Sequence, residues 1–199
     1  MSILNVLLTR DHLVVAVDTL AEDARTGAHS AGAKLLLIPQ HNLALATRGS
    51  TQFFLRIYEL ALQASFRADF TMEQLSAELG LVVDQLWPNY EKAAAEAGLP
   101  LEQLGTELSP KNGRMMATAY AKSDSQRPTR VQPIGGQLAS PGEPLQAVMP
   151  SMSQTDLMAH ARLQSSYLNE QMGRQVAGGR LLAGFLQNGQ AVVKDLGAI

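Results

Sequence analysis

The 199-residue sequence predicts an α+β domain in which antiparallel sheets grow from local hairpins and helices follow as separate blocks. Three observations predict it. Residues 3–9, 13–17, 34–38 and 43–47 are short apolar runs divided by polar turns, the pattern of two successive hairpins. From Thr51 the apolar spacing lengthens to a helical period. Near the end, Asn188-Gly189 joins two further apolar runs and is the strongest short-range hairpin signal in the chain.

In the first hairpin, Arg10-Asp11-His12 is a polar break ahead of the run 13–17, and both strands are expected to be largely buried. Residues 22–32, polar and with two glycines, suit a loop. The second hairpin sets Lys34–Ile38 and Leu43–Thr47 around the turn Pro39-Gln40-His41-Asn42. Phe53, Phe54, Ile57, Tyr58, Leu60, Ala61 and Ala64 then form one helical stripe. Thr71, with Gln74 three residues on, opens a second helix through a capping box, and Pro88 is expected to end it. A short helix is expected over Ala93–Gly98. A strand is expected over Met115–Ala121 after an Asn112-Gly113 turn, with its partner reduced to Thr106-Glu107-Leu108.

Residues 122–150 are rich in Ser, Pro, Gly and Gln, and read as a long loop or contact arm within a single domain spanning 1–199. Ser153 caps a further helix, with Asp156 three residues on and Gly173 as its stop. Gly179–Leu186 and Gln190–Leu196 make the last hairpin.

Composition narrows the function classes. The formal net charge is −2 and the 16 Lys and Arg are scattered, so no electrostatic footprint for nucleic acid is present. No apolar run reaches the ~18–20 residues that span a bilayer, and the start lacks the basic and apolar regions of a signal peptide, so a cytoplasmic protein without membrane contact is expected. The absence of Cys excludes disulfides, thiolate nucleophiles and Cys-based zinc sites. The four His, at 12, 29, 41 and 160, lack metal-ligand spacing and read as surface residues; no metal or cofactor is expected.

Ser2, Asp18 and Lys34 stand at two equal intervals of sixteen residues, each in a segment that reads as a strand or its mouth. With Val14–Ala21, Ala33–Ile38 and Leu43–Thr51 around them, the chain resembles a proteasome β-type subunit, a member of the N-terminal nucleophile hydrolase superfamily. The order of elements follows that family over nearly the whole chain, but specific motifs are confined to its first third. The resemblance implies a four-layer αββα sandwich of two antiparallel sheets between helix layers. It also implies roles: Ser2 as a nucleophile exposed by removal of Met1, Asp18 as the orienting carboxylate, Lys34 as the ammonium that tunes the nucleophile, and the backbone N–H of Gly49 or Ser50 as oxyanion donor.

The chemistry suits those residue types. A Lys beside a hydroxyl favours the alkoxide, and a free α-amine, with a reference pKa of about 7.7–8.0, can serve as general base. One oxyanion donor is typically worth roughly 3–4 kcal/mol. Lys34 at an accessible mouth would contribute little to stability, within about 0.5 kcal/mol. The implied activity is cleavage of peptide or amide bonds in a homo-oligomeric ring. Phe53, Phe54, Tyr58, Leu62 and Phe66, more apolar surface than one sheet face readily covers, also point to oligomerisation.

The chain departs from the family at one turn. An Asp and a Ser precede the paired glycines in active members, whereas here Arg174 and Ala177 stand at those positions before Gly178-Gly179. No Ser-Gly-Gly-like stretch precedes the helix at 153–172 either. The alternative is therefore a ring-forming structural or binding homologue without catalysis.

Overall fold

Strand β2 (His12–Asp18) is buried along nearly all its length because it lies at the centre of a sheet covered on both faces. In the computed structural model, which describes residues 2–23, 25–98, 104–108, 115–145, 153–187 and 189–199, β2 pairs with β1 (Leu4–Leu8) and with β11 (Arg180–Gln187). Two edge strands, β10 (Gln137–Ser140) and β12 (Gln190–Ala198), complete the sheet in the order β10-β1-β2-β11-β12. Alternate β2 side chains enter different cores. Val14 and Ala16 pack with α3 (Gln154–Met172), while Leu13, Val15 and Val17 meet the second sheet.

The second sheet has the order β5 (Leu35–Ile38), β6 (Leu43–Arg48), β7 (Leu104–Leu108), β8 (Thr118–Lys122) and β9 (Arg130–Pro133). Strand β6 divides its side chains in the same way. Ala44 and Ala46 face the first sheet, and Leu43 and Leu45 lie under α1 (Thr51–Ser65) and α2 (Met72–Glu96). Both helices start at side-chain caps: Ser50 Oγ accepts from Phe53 N–H and Thr71 Oγ1 from Gln74 N–H.

This arrangement corrects the expected four-layer αββα sandwich. Among the described residues there are three sheets rather than two, because β3 (Leu20–Glu22) and β4 (His29–Ala31) pair as a separate ribbon. Among the described residues there are three α-helices, and α3 alone of them covers its face of the first sheet. The ribbon starts at Leu20 and takes up Glu22 and His29–Ala31 of the segment expected as a loop; both strands lie outside the main sheets, and β4 is exposed along its length.

Four further expectations change. Helix α2 runs through Pro88 to Glu96 and absorbs the separate helix expected at 93–98. A proline inside a helix costs about 3 kcal/mol or more. Here the flanking aromatics hold the helix in place: Trp87 is fully buried, Trp87 and Tyr90 pack on Phe53 at centroid distances of 5.4 and 5.2 Å, and Trp87 Nε1 donates to Glu91 at 2.8 Å. Strand β7 is longer than the three residues expected.

The loop expected over 122–150 carries β9 and β10, each an edge strand; the polarity that suggested a loop is that of strands paired on one side only. Finally, not all four His are surface residues. His41 Nε2 lies 3.1 Å from Ser65 O with its ring 4.4 Å from Phe70, and His160 Nδ1 is buried. The Asn112-Gly113 turn and Asn188 fall outside the described residues.

A buried amide pair ties the first sheet to α3. Asn5 Nδ2 donates to Gln164 Oε1 at 2.6 Å, while Gln164 Nε2 donates to Asn5 Oδ1 at 2.9 Å and to Pro141 O at 2.7 Å. Gln164→Leu should therefore cost about 1–3 kcal/mol, because Asn5 is left buried and unpaired. Urea titration should show the double variant Asn5→Leu/Gln164→Leu losing less than the sum of the two single changes.

Candidate active site

Three strand ends deliver the residues singled out in the sequence. Ser2 precedes β1, Asp18 closes β2 and Lys34 precedes β5. All three are buried, with 3%, 0% and 2% of their surface exposed. Lys34 is thus not at the accessible mouth expected from the sequence; it is buried against Asp18 at the end of β2 and Leu20 of β3.

Asp18 organises the cluster. Its Oδ1 accepts the Ile3 N–H at 2.9 Å and the Lys34 ammonium at 3.0 Å, and its Oδ2 accepts the Gly178 N–H at 3.2 Å. Lys34 also donates to the Leu20 carbonyl. Burial pushes the Asp18 carboxyl above its ordinary range, against the opposing pull of Lys34 and of the Ile3 and Gly178 N–H groups. The Ile3 bond fixes the peptide that follows Ser2, so the chain start and the ammonium converge on one carboxylate oxygen.

The rim comes from β6. Thr47 N–H donates to Lys34 O at 2.9 Å, which locks the strand end beside the ion pair. Gly49, with φ of 105°, then turns the chain into α1, and Ser50 uses its hydroxyl as the helix cap. The backbone at Gly49 and Ser50 therefore lies at the positive end of a fifteen-residue helix, where developing negative charge is favoured. Arg48, just before it, donates from Nη1 to Ser140 Oγ. Its burial lowers the guanidinium pKa, opposed by the charges of Glu143 and Asp18.

Ser140 went unnoticed in the sequence. It stands opposite Leu4 in the β10–β1 pairing, two residues from Ser2, and so supplies a serine near the chain start where none was recognised. Its only local signal is Ser140-Pro141-Gly142 after a short alternating run, which the surrounding polarity obscures.

The departures at the glycine turn also find their places. Arg174 is half exposed and pairs with Glu22 on β3, so its charge is directed to the ribbon. Ala177 is fully buried. Gly179 has φ of 78°, and a Cβ there would lie 2.7 Å from Thr19 Oγ1, which accounts for the glycine. The turn is held from α3: Ser165 Oγ donates to Ala177 O at 3.0 Å, and Asn169 contacts the same segment through both ends of its amide. Neither residue was marked by the sequence.

Among the described residues no group of three or more His, Asp or Glu could hold a metal ion, and no helix is long and apolar enough to cross a membrane.

No protein-family model matches the sequence, and no curated protein matches it. Solved structures do match. One is "Anbu (ancestral beta-subunit) from Yersinia bercovieri", 14% identical, with 99% of this chain and 87% of that chain covered at a TM-score of 0.68. At that identity the likeness is one of fold: the chain shares the fold of this ancestral β-subunit.

Proposed function

We propose that the chain is a proteasome-like N-terminal nucleophile hydrolase that cleaves peptide or other amide bonds, with Ser2 as nucleophile once Met1 is removed. The observation that carries this reading is the shared acceptor: one Asp18 oxygen holds both the peptide after Ser2 and the Lys34 ammonium.

In the mechanism, the freed Ser2 amine takes the Oγ proton, directly or through a water, while the Lys34 charge favours the alkoxide. Oγ attacks the substrate carbonyl carbon and forms a C–O bond; the carbonyl electrons move to oxygen. The N–H groups of Gly49 and Ser50 stabilise that oxyanion at the positive end of α1. Collapse breaks the C–N bond, and the Ser2 ammonium protonates the departing amine. The same amine then activates water to hydrolyse the ester, which restores Ser2.

Assembly is the second part of the proposal. Phe53 and Phe54 are core residues, so the apolar stripe of α1 is largely satisfied within the chain. Phe66, however, is 78% exposed, and Leu55 and Leu81 are also exposed on the α1–α2 side. We place a homo-oligomer contact on that side. Light scattering at micromolar concentration should give a multiple of 21.4 kDa; a mass of one chain would contradict it.

Arg174 and Ala177 favour the second reading, a ring-forming homologue without chemistry. Fluorogenic peptide amides separate the two. Hydrolysis that falls to background in Ser2→Ala supports the enzyme, whereas absent hydrolysis, or hydrolysis unchanged in Ser2→Ala, supports the silent homologue.

A further inference from the structure

We propose that Asn169 is a positioning residue that sets the Asp18–Lys34 pair through the turn at 176–178, where Arg174 is directed to Glu22 and Ala177 has no polar side chain. The inference rests on the hydrolase reading for its kinetic consequence, but its geometry stands apart from turnover.

The side chain of Asn169 reaches from α3 and uses both ends of its amide. Oδ1 accepts the N–H groups of Val176 at 2.7 Å and Ala177 at 3.0 Å, and Nδ2 donates to Ala177 O at 3.1 Å. Ser165, one helical turn earlier on the same face, donates to that carbonyl too and lies 3.4 Å from Asn169 Nδ2. Residues 176 and 177 are thereby fixed without a side-chain contribution from Arg174 or Ala177.

The next residue transmits this order to the cluster in two directions. Gly178 N–H donates to Asp18 Oδ2 at 3.2 Å. Gly178 C=O accepts Leu20 N–H at 3.0 Å, and the Leu20 carbonyl is in turn an acceptor for the Lys34 ammonium. A single residue thus touches the carboxylate directly and the ammonium through one intermediate. Gly178, with φ of 140°, has no side chain to hold itself in place, so the clamp must come from its neighbours.

An amide is the group this site needs. It accepts and donates at once, whereas a carboxylate only accepts and an aliphatic side chain does neither. Losing the clamp frees the Gly178 N–H, a donor that favours the Asp18 anion, so Asp18 must then bind its proton at higher pH. Among the described residues the charged side chains acting on Asp18 are Lys34 ahead of β5 and Arg48 at the end of β6, and substitution at 169 leaves both present.

The full-length parent, Asn169→Leu and Asn169→Asp should be compared by three measurements: amide hydrogen exchange at Gly178, ¹³C titration of the Asp18 carboxyl, and the pH profile of kcat and KM on a fluorogenic peptide amide. In Asn169→Leu we expect faster exchange at Gly178, an upward shift of the Asp18 titration and of the acid limb of the profile, and a kcat roughly 10- to 100-fold lower with KM little changed. Asn169→Asp keeps both N–H acceptors and should retain more of the Gly178 protection than the leucine variant. If the leucine variant does not fold, faster Gly178 exchange in Asn169→Asp than in the parent carries the same test.

Unchanged exchange and an unchanged Asp18 titration would overturn the proposal. The first two measurements need no turnover. A parent that hydrolyses nothing would therefore refute the hydrolase reading, while the exchange and titration results still decide the role of Asn169.

Discussion

Lys34→Met should destabilise the protein by about 3–5 kcal/mol, the range for removing one member of a buried ion pair. The sequence suggested a nearly neutral change. The difference lies in burial: Lys34 and Asp18 are both enclosed, and Asp18 would lose the ammonium bonded to it while keeping the Ile3 and Gly178 N–H donors and the more distant Arg48 charge. A chain of this length should lose on the order of 10 °C in Tm.

The sign of the pH dependence follows from the carboxyl. Burial already raises the Asp18 pKa, and loss of Lys34 removes the main opposing charge. A group with a raised folded-state pKa contributes stability that is present below the unfolded value of about 3.9 and is lost as pH rises through the folded one. The deficit of Lys34→Met should therefore be smallest in acid and grow toward neutrality. Adding Asp18→Asn should recover part of it at pH 7. Denaturant titrations across pH would contradict this account if the single variant lost under 1 kcal/mol at pH 7.

Asp84→Ala should also destabilise the protein, by about 1–3 kcal/mol, at a place far from Ser2 in the chain, because the carboxylate is 30% exposed while its partner Lys122 is buried. Lys122 is only 4% exposed and donates to Asp84 and to the Arg127 carbonyl. Asp84 Oδ1 also accepts from Thr129 N at 2.8 Å and Thr129 Oγ1 at 2.7 Å, so it ties α2 to the β8–β9 connection. Its truncation leaves the Lys122 ammonium with the Arg127 carbonyl and takes the shared acceptor from both Thr129 donors.

Burial opposes the Asp84 anion, but Lys122 and the Thr129 donors outweigh it and hold the carboxyl below its ordinary range. For a lowered pKa the contribution is present above the unfolded value and disappears as pH falls through the folded one. Parent and variant should thus converge in strong acid and separate toward neutrality. Equal denaturation midpoints for the two at pH 7 would refute the role assigned to Asp84.

How much of this was legible in the sequence depended on whether the deciding contacts were local. The central strands β2 and β6 were readable because double-sided burial makes them continuous apolar runs between polar turns. The caps Thr71 and Ser153 were equally readable, since a cap oxygen and the N–H that donates to it are three residues apart. Pro88 misled because local propensity predicted a break where distant aromatics maintain the helix. Strands β9 and β10 have the composition of a loop because edge pairing needs few apolar residues.

The site divides along the same line. Asp18 and Lys34 could be found because the two hairpins bring their strand ends together at a fixed interval. Ser140, Ser165 and Asn169 could not. Ser140 reaches β1 from well over a hundred residues away in the chain, and the two α3 residues act on backbone groups that leave no pattern in side-chain identity. Burial of Lys34 was likewise invisible, since it depends on contacts with Asp18 and Leu20, fourteen to sixteen residues earlier, and not on the strand that follows it.

Intact-mass and peptide mass spectrometry after incubation with a β-lactone, a reagent that acylates an activated hydroxyl, tests the central claim most directly. The account predicts a chain lacking Met1 and carrying one acyl group, located on Ser2 and absent from Ser2→Ala. Retention of Met1, or acylation elsewhere with Ser2 unmodified, would contradict it.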